Sequence, residues 1–384
     1  MTTLLRCPKC SKSKNGKFID QRCQCGGPLE FDHRKGKVLE GGSVWHRYKE
    51  FYNFEISDFY SLGEGDTSLS RLDYLSSELD LELYAKNETT NPTWSFKDRG
   101  TFLGVQQAVE NDFSKIGTVS TGNMAASIAA YGARFGLDTY ILVSDDINEF
   151  KLSQVSVYGP KIYRVDGDYG KLYFRSLEMG ENNGIYFINS DNPYRVEGYK
   201  TIGFEIVEEM LPDHVLIPTS SGGLFRGIVK SFIELKRSRI IQKYPRFTAV
   251  QAEGCSPIYD AFKKGKGKIS LVKEKNTLAK AIANPYPPSG NEVLRKLNQI
   301  DGTCVKVSDE EIIRAQDELA TEGIFAQLAG CVGIAAVKKM KHDNMIKRGE
   351  KVVSIITGSG LKISKNGFKD SIITDIDIDE LETI

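Results

Sequence analysis

Val215-Leu-Ile-Pro218-Thr-Ser-Ser-Gly-Gly-Leu224 decides the fold. Val215–Ile217 is an apolar run bounded by proline and small residues, so it predicts a buried strand. The small-residue turn then opens a helix over 223–235. The same unit recurs along the chain. Leu83–Lys86, Ile116–Val119, Thr139–Val143, Lys161–Val165, Ile185–Ile188, Phe247–Gln251, Val305–Val307 and Val352–Ile356 read as further strands. Helical stretches over 124–135, 200–210 and 330–340 lie between them, and Ser308-x-x-Glu311 opens another with a capping-box pattern. Alternation of this kind, with near-continuous apolar strands, predicts an α/β fold of parallel sheets covered on both faces. Residues 263–300, rich in Lys, Asn, Pro and Gly, read as a long surface loop. The acidic end from Asp370 reads as an edge strand or a frayed tail.

The chain has 384 residues, with 51 Lys+Arg against 51 Asp+Glu. That length suits two or three domains at about 150 residues each. Zero net charge provides no global field to attract nucleic acid or an anionic membrane, so neither is expected as a partner. No apolar run nears the roughly 20 residues of a membrane-spanning helix. The opening MTTLLRCPKC lacks a charged start followed by an apolar core, so no secretory signal is expected. Seven cysteines in such a chain predict a reducing cytoplasm, with thiols or metal ligands in place of disulfides.

Four of those cysteines fall early, as Cys7-x2-Cys10 and Cys23-x-Cys25-Gly-Gly. Two close pairs can close a tetrahedral zinc site, although the second pair has one intervening residue where two are usual. A ribbon that folds by packing alone is the other reading. Lys9, Lys12, Lys14, Lys17 and Arg22 make the segment basic, which a solvated face explains better than a nucleic-acid contact. Cys255, Cys304 and Cys331 read as small core hydrophobes. His33, His46, His214 and His342 occupy no ligand or triad spacing.

Four segments carry features that packing does not require. In Asn91-Pro-Thr-Trp-Ser-Phe-Lys97-Asp98-Arg99-Gly100, a lysine opens a helix, where the macrodipole disfavours its charge and favours the neutral amine. Ser120-Thr-Gly-Asn-Met124 places hydroxyls, an amide and free N–H groups at a helix start, suited either to a carboxylate or to simple capping. Ser220, Ser221, Gly222, Gly223 and Leu224 can cradle a phosphate on backbone N–H groups, or form a plain strand-to-helix turn. Thr357-Gly-Ser-Gly360 ends a strand with room for a flat ring. Together these would serve pyridoxal phosphate carrying an amino acid, with the cofactor as electron sink.

The residues also resemble a known family. Tyr84-Ala-Lys-Asn-Glu88, Asn91-Pro-Thr with Ser95-Phe-Lys-Asp-Arg99, Ser120–Ser127, Asn189-Ser-Asp-Asn-Pro-Tyr-Arg195-x-Glu-Gly-x-Lys-Thr201, Val250–Gly254 and Thr357-Gly-x-Gly-Leu-Lys362 are similar to the threonine synthase family. That family lies within the tryptophan-synthase-β-like (fold type II) pyridoxal-phosphate enzymes. The resemblance runs from about residue 60 to 362, and the cysteine-rich start also matches many members. It implies a two-domain fold: a zinc-ribbon-like segment at 1–35, a large cofactor-binding domain from 36–100 with 206–384, and a small domain at 101–205. It implies Lys97 as the Schiff-base lysine and proton shuttle, beside Phe96. Asn123 would meet the cofactor's ring hydroxyl, Thr357 its ring nitrogen, and Ser220–Leu224 its phosphate. Ser120, Thr121, Asn123 and Met124 would hold the substrate carboxylate, and Ser190 with Arg195 the substrate phosphate. The expected substrate is a small phosphorylated amino acid, O-phosphohomoserine, and the expected assembly a homodimer.

The chain departs from the family pattern near the site. Ser221 and Leu224 replace asparagines, Gln327-Leu-Ala-Gly330 replaces a Glu-Pro-Ala-Ser run, Ser359 replaces a histidine, and Trp94 a common glycine. These changes leave two alternatives open. One is β-replacement or elimination on O-phosphoserine or a related amino acid, as in cysteate synthase or threonine dehydratase. The other is a non-catalytic cofactor- or amino-acid-binding protein.

Overall fold

The computed structural model describes residues 4–15, 21–120, 122–144, 149–166 and 169–362. Thr121 and the acidic end from Asp370 lie outside the described residues. Three short strands come first: β1 (Leu4–Arg6), β2 (Ser13–Asn15) and β3 (Glu30–Phe31). Next are β4 (Leu69–Arg71) and β5 (Glu82–Asn87). The middle of the chain supplies β6 (Lys115–Val119), β7 (Asp138–Ser144), β8 (Lys161–Val165) and β9 (Tyr186–Phe187). The remainder supplies β10 (His214–Pro218), β11 (Arg246–Ala252), β12 (Thr303–Val307) and β13 (Lys351–Ile356).

These strands form three sheets. β1–β3 make an antiparallel ribbon in the order β2-β1-β3. A six-stranded sheet runs β12-β11-β10-β13-β5-β4, parallel except for β4 at its edge. A four-stranded parallel sheet runs β8-β7-β6-β9. β10 is buried along its whole length, which is why it reads as an unbroken apolar run and why it sits inside its sheet. β8 is largely exposed, with Lys161 on the outside of the edge, a charge that discourages pairing with another chain.

Six helices position the site: α1 (Lys97–Glu110), α2 (Asn123–Arg134), α3 (Pro193–Glu209), α4 (Gly223–Arg237), α5 (Gly290–Gln299) and α6 (Leu328–His342). α3 begins seven residues before the predicted Lys200. Asn192 accepts from the N–H groups of Tyr194 at 3.0 Å and Arg195 at 3.4 Å, and Pro193 takes the first helical position, where its missing N–H costs nothing. Residues 263–300 are not a continuous loop either. α5 closes that stretch, with Val293, Leu294 and Leu297 buried on one face. The capping box is present as predicted, with Glu311 N–H donating to Ser308 Oγ at 3.2 Å and Ser308 N–H to Glu311 Oε2 at 2.7 Å.

α3 is enclosed from Pro193 to Ile206, so each of its charges needs a partner. Lys200 pairs with Glu197 at 2.6 Å and Glu234 at 2.9 Å, and Lys230 of α4 pairs with Glu197. Glu205 pairs with Lys86 at 2.6 Å and with Arg99 of α1, which also holds Glu88 at 2.6 Å. The three helices are thus locked by buried ion pairs as well as by apolar packing. No helix among the described residues is long and apolar enough to cross a membrane.

Candidate active site

Lys97 opens α1 directly after a turn that is pinned to the end of β13. Phe96 N–H donates to the Thr357 carbonyl at 3.1 Å, Ser359 N–H donates to the Trp94 carbonyl at 3.0 Å, and Ser95 bridges Gly358. The Lys97 amine sits 4.3 Å from the Phe96 ring centroid. Burial pushes this amine down to about 7, helped by the nearby positive charge of Arg195. A lysine so tuned is a neutral nucleophile and base near neutral pH. The next residue, Asp98, is held inside by Thr93, whose N–H and hydroxyl both donate at 2.6 Å.

Arg195 is fully buried on the neighbouring helix. Its guanidinium donates to Thr101 Oγ1 at 2.7 Å and to the Tyr199 hydroxyl at 2.6 Å, and its Nε is buried without a partner. No carboxylate among the described residues forms an ion pair with it. A cation buried against two hydroxyls alone is expensive unless an anion completes it. Thr101 lies four residues after Lys97, and Tyr199 four after Arg195, so helical spacing aligns both pairs. Tyr199 also packs on Phe96, with centroids 5.0 Å apart.

Two helix starts face this region with their amides free of side-chain caps. α2 begins after Gly122, and Ser120 Oγ accepts from the Gly122 N–H at 3.2 Å without capping the helix itself. α4 begins after Gly222, whose φ of +97° requires glycine. A Cβ on Gly223 would lie 2.7 Å from the Ser190 carbonyl, so glycine there lets the Ser220–Leu224 loop touch the Ser190 turn. Leu224 itself is buried in the core, which makes its backbone N–H the group available to a ligand. Asn123 Nδ2 lies close to Gly358, where an added Cβ would come within 3.1 Å of it. The predicted residues on α1, α2, α3, α4 and the end of β13 therefore converge, while Thr121 lies outside the described residues.

A profile of the family described as pyridoxal-phosphate dependent enzyme matches residues 60–358. The chain belongs to the pyridoxal-phosphate dependent enzymes. Among relatives of this family, it is 39% identical to a threonine synthase of Methanocaldococcus jannaschii, over 94% of this chain and 93% of that protein. It is 34% identical to a threonine synthase of Methanosarcina acetivorans, over 93% and 92%. Its fold resembles threonine deaminase isoform 2 from Solanum lycopersicum, with a TM-score of 0.68 and 22% identity over 83% of this chain and 81% of that one. Maize serine racemase gives a TM-score of 0.66 and 21% identity, covering 77% and 88%.

As a pyridoxal-phosphate dependent enzyme the chain must hold an anionic, aldehyde-bearing cofactor, and the site fits one. The amine of Lys97 is near neutrality, the Gly222-Gly223 turn presents uncapped amides, and the hydroxyl of Ser95 is buried without a partner beside Gly358. Sequence reasoning did not assign Ser95, Thr101, Tyr199 or Gln327 to the site. Thr101 and Tyr199 carried a signal in their four-residue offsets from Lys97 and Arg195. Gln327 stood out only as a departure, and its pairing with Asn123 joins segments 204 residues apart. Away from this site, the sulfurs of Cys7, Cys10, Cys23 and Cys25 lie within 4.8 Å of one another. Cys255, Cys304 and Cys331 are buried thiols.

Proposed function

We propose that the chain is a threonine synthase, converting O-phosphohomoserine and water into threonine and inorganic phosphate. The likeness to two threonine synthases across nearly the whole chain supports the activity. The observation that carries the substrate is Arg195: a buried guanidinium, held by two hydroxyls, that needs an anion.

Bound pyridoxal phosphate supplies the electron sink that makes loss of the substrate's α-proton accessible. Lys97 would anchor it, the amides of Ser220–Leu224 would hold its phosphate, Asn123 its ring hydroxyl and Thr357 its ring nitrogen. Lys97 would accept the α-proton and return protons later, as a general base whose cofactor-free amine already lies near neutrality. The α2 amides and Ser120 receive the substrate carboxylate. Arg195 and Ser190 hold the substrate phosphate and stabilise the charge it takes with it when the bond at Cγ breaks. A β-proton is lost before that bond breaks, and a proton is delivered to Cγ afterwards. Water then adds its hydroxyl at Cβ, a proton returns to Cα to complete threonine, and the proton that water gives up leaves with the phosphate.

The test is simultaneous release of phosphate and threonine from O-phosphohomoserine by the cofactor-loaded protein, with O-phosphoserine as the comparison. Turnover selective for O-phosphohomoserine is expected. Cofactor bound at Lys97 without any threonine formed would overturn the assignment, and turnover of O-phosphoserine alone would move the chain to β-replacement chemistry.

A further inference from the structure

The cysteine-rich ribbon does not stand apart from the catalytic machinery. Arg22, adjacent to Cys23, reaches out of it to both phosphate-binding regions. Its Nη2 donates to Asp191 Oδ2 at 2.6 Å and to the Pro288 carbonyl at 2.7 Å, while Nη1 donates back to the Gly26 carbonyl at 2.6 Å. Asp191 is fully buried and also receives the Tyr173 hydroxyl. It sits between Ser190 and Asn192, the residue that caps the helix carrying Arg195. Pro288 precedes Ser289, whose N–H donates to the Ser221 carbonyl at 3.0 Å and whose backbone and Cβ crowd Gly222. One guanidinium thereby ties the substrate-phosphate turn to the loop backing the cofactor-phosphate turn.

Arg22 lies next to Cys23, one of four cysteines whose sulfurs cluster within 4.8 Å of one another. Cys7 and Cys25 Sγ are 3.5 Å apart, and Cys10 and Cys23 Sγ are 3.6 Å apart. Tetrahedral zinc with Zn–S bonds of about 2.3 Å sets its sulfurs roughly 3.8 Å apart. A Cβ on Gly27 would lie 2.8 Å from the Cys7 sulfur, so glycine is what lets the two turns converge. The ribbon's strands are two or three residues long, too little structure to hold its turns rigid without a staple.

We propose that Cys7, Cys10, Cys23 and Cys25 hold one zinc ion, and that this knuckle fixes Arg22 as a strut between the Ser190 turn and the Ser221–Gly222 loop. Arg22 is then a positioning residue: it touches neither substrate nor cofactor and acts through Asp191 and Pro288. The role given to the Ser190 turn rests on the function proposed above; the zinc site does not.

The test begins with elemental analysis of the full-length protein, where one zinc per chain is expected and its absence overturns the site. Zinc is then removed by chelation, and in parallel Arg22→Gln and Arg22→Lys are made with all four cysteines intact. Two measurements follow on each: amide hydrogen exchange across residues 188–192, and competitive inhibition by inorganic phosphate. Metal loss and Arg22→Gln should each raise exchange at that turn and weaken phosphate about tenfold or more. KM for the phosphorylated substrate should rise more than kcat falls, and Arg22→Lys should restore part of the loss. If Arg22→Gln does not fold, Asp191→Asn tests the same contact from the other side. Unchanged exchange and phosphate inhibition in the zinc-free protein would overturn the strut. Wild-type protein that never turns over O-phosphohomoserine, yet keeps zinc-dependent exchange at 188–192, would instead refute the functional reading and leave the strut standing.

Discussion

The side-chain amides of Asn123 and Gln327 pair across the site, Asn123 Nδ2 donating to Gln327 Oε1 at 2.8 Å and Gln327 Nε2 returning to Asn123 Oδ1 at 3.4 Å. The pair joins the start of α2, which follows a strand of the four-stranded sheet, to the residue before α6, which packs on the six-stranded one. It also fixes the amide that would face the cofactor's ring hydroxyl. Gln327→Ala frees that amide to rotate, and the expected loss in kcat/KM is about three- to tenfold, the value of one net hydrogen bond. Gln327→Glu keeps the acceptor but removes the returning donor and adds negative charge near an anionic substrate, so its KM should rise further than that of Gln327→Ala. Steady-state kinetics of both variants decide the matter. Equal KM values would separate Gln327 from substrate charge.

Arg195 makes a prediction of opposite sign for activity and stability. Arg195→Met removes the proposed phosphate partner, and kcat/KM should fall about 100- to 1,000-fold, as when one member of a buried charge pair is truncated. In the ligand-free protein the same change removes a buried cation that lacks a carboxylate, so thermal stability should hold or rise. Inorganic phosphate should raise the melting temperature of the wild type and leave Arg195→Met unmoved. A variant that melts well below wild type in phosphate-free buffer would show that Thr101 and Tyr199 already satisfy the guanidinium.

The legible parts of this chain are those where one residue type has one physical explanation. Unbroken apolar runs such as Val215–Ile217 became interior parallel strands because those positions are buried on both faces. Glycine and hydroxyl residues at strand ends pointed to the candidate site, and at Gly223 an added Cβ would indeed meet the Ser190 carbonyl at 2.7 Å. The start of α3 was hidden because Pro193–Tyr199 mixes proline, glycine and charge, which reads as loop, while burial and ion pairing with other helices make it helical. α5 was masked by its Pro- and Lys-rich flank. Trp94 shows the opposite case. The resemblance leads one to expect glycine at that position; here the backbone is left-handed, with φ of +60°, and a half-exposed tryptophan occupies it at a cost of roughly 1–2 kcal/mol. Pairings such as Gln327 with Asn123 leave no local trace, since periodicity carries no information about distant partners.

The Arg99 network should be a stability determinant. Arg99 holds Glu88 and Glu205 with no exposed surface of its own, and Lys86 is the remaining cation on Glu205. Arg99→Met leaves buried Glu88 without a cation and Glu205 with Lys86 alone, at an expected cost of about 3–5 kcal/mol in urea unfolding. Burial alone would raise the Glu205 carboxyl, but Arg99 and Lys86 outweigh it and bring it down to about 2. Its folded value therefore lies below its unfolded one. The stability it contributes is present above the ordinary carboxylate range and drains away as pH falls from about 4.5 toward 2. A destabilisation within about 1 kcal/mol of zero for Arg99→Met would place the network among interactions that merely break even.

Lys97 gives the complementary pH dependence. Burial, with Arg195 second, pushes its amine from an ordinary 10.5 down to about 7. Between those values the unfolded chain binds a proton that the folded, cofactor-free protein does not. Stability must then rise with pH across that window, and below about 7 the folded state carries the whole penalty of a buried charge. Lys97→Met removes the titrating group at similar length. It should abolish turnover, yet unfold later than wild type at pH 6, with the gap closing by pH 10. The residue is partly exposed, so solvent screening reduces the gain at pH 6 to about 1–3 kcal/mol. Urea titrations at pH 6, 8 and 10 on cofactor-free protein measure it. A difference that stays flat across the three would mean the amine titrates near its ordinary value, and that its reactivity comes from the cofactor and not from its position at the start of α1.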